Sequence, residues 1–220
     1  MNTTDEKVFL IADLAGYTAL TEVHGDMSAA RIVKRYVEIV NDNIFPGTKL
    51  VERVGDEILM VSNDATSIVR TAVNLRDTIE NEQHFPCVHA GIHAGSILEK
   101  DGHYFGKALN LVSRVAAYAR GGEILCTDKI VHMACDIEDV NYRSLGSIEF
   151  KHIPDPVAVF EVIVGGRVGE CTIFDPVCHM HVQPDKAVAQ LRIDERIYYF
   201  CSMECAKAFS NNPERFLNHY

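Results

Sequence analysis

The sequence predicts an α/β fold, an α+β sandwich in which one sheet carries packed helices, followed by a smaller cysteine-bearing unit. Three observations predict it. Strand-like apolar runs alternate with stretches of helical spacing up to residue 164. A Gly-Asp turn joins two of those runs as a hairpin. Gly165-Gly166-Arg167-Val168-Gly169 then reads as a linker before a tail of different character, and four of the seven cysteines lie beyond it. With 220 residues, the chain has room for one full domain and a small appendage.

Residues 8–12 read as a buried strand, and Thr18 or Thr21 is a candidate helix cap after it. Residues 29–44 carry Ile32, Val33, Tyr36, Val37, Val40 and Ile44 at helical spacing, stopped by Pro46-Gly47. Residues 49–54 and 57–62 form the hairpin that turns at Gly55-Asp56. Asp64 caps a second helix that runs to about residue 82. Residues 87–93 are the next strand, continued after a bend by 95–98, with a turn at Asp101-Gly102. A third helix, 108–119, ends at Gly121-Gly122. Then come a strand at 123–126, a helical stretch at 129–133, and strands near 142–145, 148–152 and 158–164. In the tail, 187–193 and 197–200 are strand-like and 202–209 helical.

Composition narrows the function classes. Hydrophobic residues at 47% and charged residues at 24% are ordinary for a globular protein, and a net charge of -10 argues against a nucleic-acid surface, which needs a basic face. The polar, acidic start does not read as a secretory signal, and no apolar run nears the roughly 18 residues of a membrane span. A cytoplasmic chain is the simplest expectation. Cys171, Cys178, Cys201 and Cys205 cluster in the last 50 residues, which in a reducing compartment points to metal or thiol chemistry. Cys87, Cys126 and Cys135 are expected to be buried small hydrophobes.

The chemistry-bearing positions are Asp13 and Asp56, 43 residues apart, each at the end of a strand-like run. Two such acids can hold hard divalent cations over a triphosphate. Asn110 and Arg114 are four residues apart and share one helix face, with Leu111, Val112 and Val115 turned to the core.

These positions sit in segments that resemble the catalytic domain of class III adenylate and guanylate cyclases. The segments are Ile11-Ala12-Asp13-Leu14-Ala15-Gly16-Tyr17-Thr18, Val54-Gly55-Asp56, Gly91-Ile92-His93-Ala94-Gly95, Tyr104-Phe105-Gly106 through Asn110 to Arg114, and Gly121-Gly122-Glu123-Ile124-Leu125. The resemblance implies a ferredoxin-like cyclase homology domain that acts as a head-to-tail homodimer on ATP or GTP. Asp13 and Asp56, helped by the Leu14 carbonyl, would bind two Mg²⁺ or Mn²⁺ ions. Amides of Ala15, Gly16, Tyr17 and Thr18 would cradle the terminal phosphates, Asn110 would orient the ribose, and Arg114 would stabilise charge at the α-phosphate. Lys151 matches the neighbourhood of a phosphate-binding lysine. Glu52 and His103 occupy the base-reading positions, where adenylate cyclases carry lysine and aspartate. On hydrogen-bond polarity, a carboxylate and a histidine suit guanine better. The competing reading pairs Glu52 with Arg53 and leaves the purine pocket loose or closed.

The tail resembles a YHS domain, a small metal-associated module of ββα type close to the TRASH type. Its matching residues are Asp175-Pro176-Val177-Cys178-His179-Met180, Tyr199-Phe200-Cys201-Ser202, Cys205, Phe209, Pro213-Glu214 and Phe216. Cys201 and Cys205 fall one helical turn apart, with Cys178 arriving from a loop and His179 or His181 available for a fourth position. Three thiolates favour Zn²⁺ or Cu⁺. The expected division is 1–164 cyclase-like domain, 165–173 linker and 174–220 YHS domain. The expected function is nucleotide cyclisation to a 3′,5′-cyclic nucleotide and pyrophosphate, with the tail a candidate modulator. The alternatives are a silent nucleotide-binding dimer and a metal sensor on a cyclase-like scaffold.

Overall fold

A computed structural model describes residues 5–100, 103–165 and 173–217. The expected turn at Asp101-Gly102, most of the linker, and Cys171 lie outside the described residues.

Eight strands form the main sheet: β1 (Asp5–Leu14), β2 (Thr48–Val54), β3 (Glu57–Ser62), β4 (Val88–Lys100), β5 (His103–Phe105), β6 (Ile124–Thr127), β7 (Val140–Ile148) and β8 (Val157–Val164). Their order is β2-β3-β1-β4-β6-β8-β7, with β5 paired to the far end of β4. All neighbours are antiparallel except β4 and β6. The helices are α1 (Tyr17–His24), α2 (Asp26–Asn43), α3 (Ala65–Glu80), α4 (Lys107–Tyr118) and α5 (Asp128–Met133).

Alternation along β1 builds the two layers. Val8, Leu10, Ala12 and Leu14 pack with Tyr36 and Ile39 of α2, Ile68 and Leu75 of α3, and Ile130 of α5. Phe9 and Ile11 face the other way, against Val112 and Ala116 of α4. Two glycines of β4 set how closely α4 approaches. A Cβ on Gly91 would drive into the backbone of Ala116, and one on Gly95 would come 2.7 Å from Ala108 Cβ. This close approach, rather than a bend, explains Gly95: β4 runs unbroken through it.

The Gly55-Asp56 hairpin forms as expected. Asp64 does cap α3, accepting from the Thr66 amide at 3.3 Å and the Ser67 amide at 2.9 Å. Three expectations are corrected. Thr18 and Thr21 cap nothing; both lie inside α1, which starts after Gly16 (φ 71°) and ends at Gly25 (φ 77°). No strand spans 148–152, because β7 ends at Ile148 and the Ile153 amide turns back onto the Phe150 carbonyl at 3.0 Å. Cys135 is exposed, while Cys87 and Cys126 are buried. Among the described residues, no helix is long and apolar enough to cross a membrane.

The tail has a hairpin of β9 (Ala189–Ile193) and β10 (Arg196–Phe200), then α6 (Met203–Asn211) and α7 (Pro213–Leu217). Its hydrophobic core is shared with the large domain. Val177, Cys178, Met180, Phe200, Cys205, Ala206 and Phe209 form one buried cluster with Leu20 of α1 and Ala29 of α2. Backbone pairing fastens the seam. The Cys87 amide donates to the His179 carbonyl and the His181 amide to the Phe85 carbonyl, each at 3.2 Å. Arg215 of α7 also meets Glu22 of α1 at 2.8 Å.

Candidate functional site

Asp13 is the penultimate residue of β1, and Ala12 pairs with Ile58 of β3. The turn before β3 therefore lies at the same sheet end as Asp13. Gly55 takes φ 64° there, a conformation suited to glycine in a two-residue hairpin turn, which presents Asp56. The two carboxyls come within hydrogen-bonding reach of each other. Burial pushes the Asp13 carboxyl above its ordinary range, partly offset by bonds from Asp56 and the Leu14 amide. Asp56 is pushed up to about 7, by burial first and then by its hydrogen bond to Asp13 and Asp13's charge. Two carboxyls this close resist ionising together unless a cation joins them.

Asp13 Oδ1 is buried with no hydrogen-bond partner, and so is the Tyr36 hydroxyl. An orphaned oxygen beside a second carboxyl is a hard-oxygen donor set, and it fits Mg²⁺ or Mn²⁺. His89 sits opposite Asp13 across the β1–β4 ladder, with Nε2 4.0 Å from Asp13 Oδ2. Burial lowers its pKa, against the opposing pull of the Asp56 charge. Reasoning from sequence passed over His89 and Tyr36, because strand register and helix docking bring them in.

Gly16 N-caps α1, so the first-turn amides of Tyr17 and Thr18 have no partner within the helix. The Ala15 amide is already committed, donating to the Cys87 carbonyl at 2.8 Å. The expected anion cradle therefore narrows to Gly16, Tyr17 and Thr18.

Asn110 and Arg114 are exposed one turn apart on α4, with Val112 and Val115 buried beneath. Among the described residues, no hydrogen bond or ion pair joins either of them to Asp13 or Asp56. Glu52 is exposed beside a bulge in β2, and His103 is exposed on β5. Arg53 donates to the Gly55 carbonyl at 2.7 Å, so the expected Glu52–Arg53 pair is not the contact that Arg53 makes. Lys151 is exposed in the turn after β7.

In the tail, Cys178, Cys201 and Cys205 converge. Cys178 Sγ lies 3.4 Å from Cys201 Sγ, which lies 3.8 Å from Cys205 Sγ. These separations are far beyond a disulfide bond of about 2.05 Å. The fourth polar atom is His24 Nε2 from α1, 3.4 Å from Cys205 Sγ and 3.9 Å from Cys201 Sγ. All four ligand atoms lie within 4.8 Å of one another. Neither expected histidine is in this group: the His179 ring lies beside Gly16 and the His181 ring packs on Phe174. Hydrogen bonds from Cys178 and Cys201 pull the Cys205 thiol below its ordinary range, favouring a thiolate. The S₃N set suits a borderline or soft ion such as Zn²⁺ or Cu⁺. Buried Asp175 ties the loops together, accepting from the amides of Val177 (2.8 Å), Cys178 (3.4 Å) and Cys201 (2.8 Å).

A cleft of about 660 Å³ also opens between the large domain and the tail, lined by residues that include Glu80, Glu161, Phe174 and His181. It does not include Asp13 or Asp56, and so lies apart from the paired acids.

Residues 173–220 match the family model of the YHS domain. The chain is 29% identical over 119 residues to a pH-sensitive adenylate cyclase of Mycobacterium tuberculosis, covering 54% of this chain and 30% of that protein. It is 31% identical over 152 residues to an uncharacterised protein of Mycobacterium tuberculosis, covering 69% of this chain and 39% of the other. The chain thus spans about a third of the length of these curated relatives. Among solved structures, the adenylyl cyclase CyaB from P. aeruginosa superposes with a TM-score of 0.65 at 19% identity, over 77% of this chain and 100% of that one.

Proposed function

We propose, taking as premise a large domain with the class III cyclase catalytic fold and a C-terminal YHS domain, that this protein is a nucleotide cyclase. Its reaction would convert a purine nucleoside triphosphate to a 3′,5′-cyclic nucleotide and pyrophosphate, at a site shared by two copies of the chain. The observation that carries this reading is the meeting of Asp13 and Asp56, with Asp13 Oδ1 orphaned, directly before the N-terminus of α1.

Asp13, Asp56 and the Leu14 carbonyl would hold two divalent ions. When bound, these supply activation of the ribose 3′-hydroxyl and neutralisation of phosphate charge. The amides of Gly16 to Thr18 bind the terminal phosphates at the positive end of α1. Asn110 of the second copy holds the ribose, and Arg114 of that copy meets charge developing at the α-phosphorus. Lys151 is a further candidate for phosphate contact. Exposed Val54, Phe105 and Tyr118 on the large domain offer apolar surface for such a pairing.

For the base, two lines of support diverge. A curated relative is named an adenylate cyclase, whereas Glu52 and His103 favour guanine on hydrogen-bond polarity. The test is direct. Purified protein with Mn²⁺ and either ATP or GTP should release a cyclic nucleotide, and Asp56→Ala should abolish it. Tight nucleotide binding without product would instead support a silent binding dimer.

A further inference from the structure

We propose that His24 of the large domain is the fourth ligand of an ion site with Cys178, Cys201 and Cys205, so that a Zn²⁺-type cation clips the tail to α1. The inference concerns ion binding alone and does not rest on the cyclase reading.

Distances carry the argument. A tetrahedral Zn²⁺ with bonds of about 2.3 Å to sulfur and about 2.05 Å to nitrogen needs edges of about 3.8 Å S···S and about 3.6 Å S···N. Four of the six edges are 3.4 and 3.8 Å for S···S and 3.4 and 3.9 Å for S···N, and the two from Cys178 to Cys205 and to His24 lie within 4.8 Å. Each ligand is held by its own element. His24 is the last residue of α1, where the Gly25 amide closes the final turn onto the Thr21 carbonyl. Cys201 follows β10, and Cys205 lies in the first turn of α6, whose cap Ser202 accepts from the Cys205 amide at 3.1 Å. Asp175 gathers the Cys178 and Cys201 backbones.

The position of the ion gives it reach. α1 has eight residues, about 12 Å from end to end. One end carries His24, and the other begins beside the paired acids. An ion bound at His24 therefore restrains the same short helix that starts four residues after Asp13. Loading would order α1 as well as the tail.

The test uses the full chain, reduced, with Zn²⁺ alone and no nucleotide. X-ray absorption should show three sulfurs and one imidazole around the ion. His24→Ala should lose the imidazole scattering and weaken Zn²⁺ binding by on the order of 100-fold, at or beyond the loss typical of outer-sphere changes. His179→Ala and His181→Ala should keep both properties. Amide hydrogen exchange in α1 should slow on Zn²⁺ loading in the wild-type chain but not in His24→Ala. Unchanged affinity and imidazole scattering in His24→Ala, or a wild-type ion with no imidazole neighbour, would overturn the proposal. Should His24→Ala not fold, labelling of the wild-type chain with diethyl pyrocarbonate decides the matter. Protection of His24 by Zn²⁺ supports the clip, and equal labelling with and without the ion refutes it.

Discussion

In the proposed site, Asp13 and Asp56 would tie ion binding to pH. Asp56 sits at about 7 in the folded chain against an ordinary 3.8. An acid whose folded pKa is raised binds more protons folded than unfolded, so the ion-free protein loses stability as pH rises from about 4 to about 7. A divalent cation reverses this by favouring the ionised pair. Mn²⁺ should therefore raise the melting temperature more at pH 8 than at pH 5. An equal rise at both pH values, or one that survives in an Asp13→Asn/Asp56→Asn variant, would refute this account. Base reading, as proposed, would also be decided residue by residue. Glu52→Lys with His103→Asp should shift the ATP/GTP turnover ratio towards ATP, because unpaired polar groups in a base pocket discriminate strongly. An unchanged ratio would show that the base is read elsewhere. The acids stood out in the sequence because Asp13 closes a strand-like run and Asp56 lies in a Gly-Asp turn, both within segments that resemble the cyclases. His24 did not, since its thiol partners lie more than 150 positions away and only docking of the tail brings them near.

At the scale of elements, α4 depends on glycine. Gly91→Ala would force α4 off β4 and carry Asn110 and Arg114 with it. The cost should be about 1–3 kcal/mol in urea unfolding, as for other overpacked cores, together with a fall in kcat. Asp64→Ala is the contrast. It removes a cap far from the acids and should cost about 1 kcal/mol while leaving turnover unchanged. A Gly91→Ala protein with wild-type stability would show that the helix–strand contact tolerates a methyl group. The Gly55-Asp56 hairpin and the Asp64-capped helix could be read in advance because both are local. α1 could not, because its eight residues are set by Gly16 and Gly25 at positive φ and by burial of Leu20 under the tail. The misread stretch at 148–152 has apolar residues but turns at Phe150.

For the whole molecule, a shared catalytic site predicts complementation. Asp56→Ala and Arg114→Ala should each be inactive alone, yet a mixture should regain up to about a quarter of wild-type activity through mixed dimers with one intact site. No recovery despite proven subunit exchange would count against a site built from two copies. Composition sets the tail apart from the large domain, but the core that the two share was not readable from it. Removing residues 173–217 would uncover Leu20, Ala29 and their neighbours. At roughly 1.5–3 kcal/mol for a fully buried leucine side chain, the large domain alone should melt earlier and bind hydrophobic dyes. A truncated protein as stable as the full chain would contradict this.

That joint core has a consequence for biosynthesis. Leu20 leaves the ribosome well before its cover at Phe209, which lies about 190 residues further along the chain. At 5–20 residues per second, the apolar face of α1 and α2 would wait roughly 10–40 s for its lid. Nascent chains stalled before residue 173 should therefore recruit chaperones that chains already carrying the tail release.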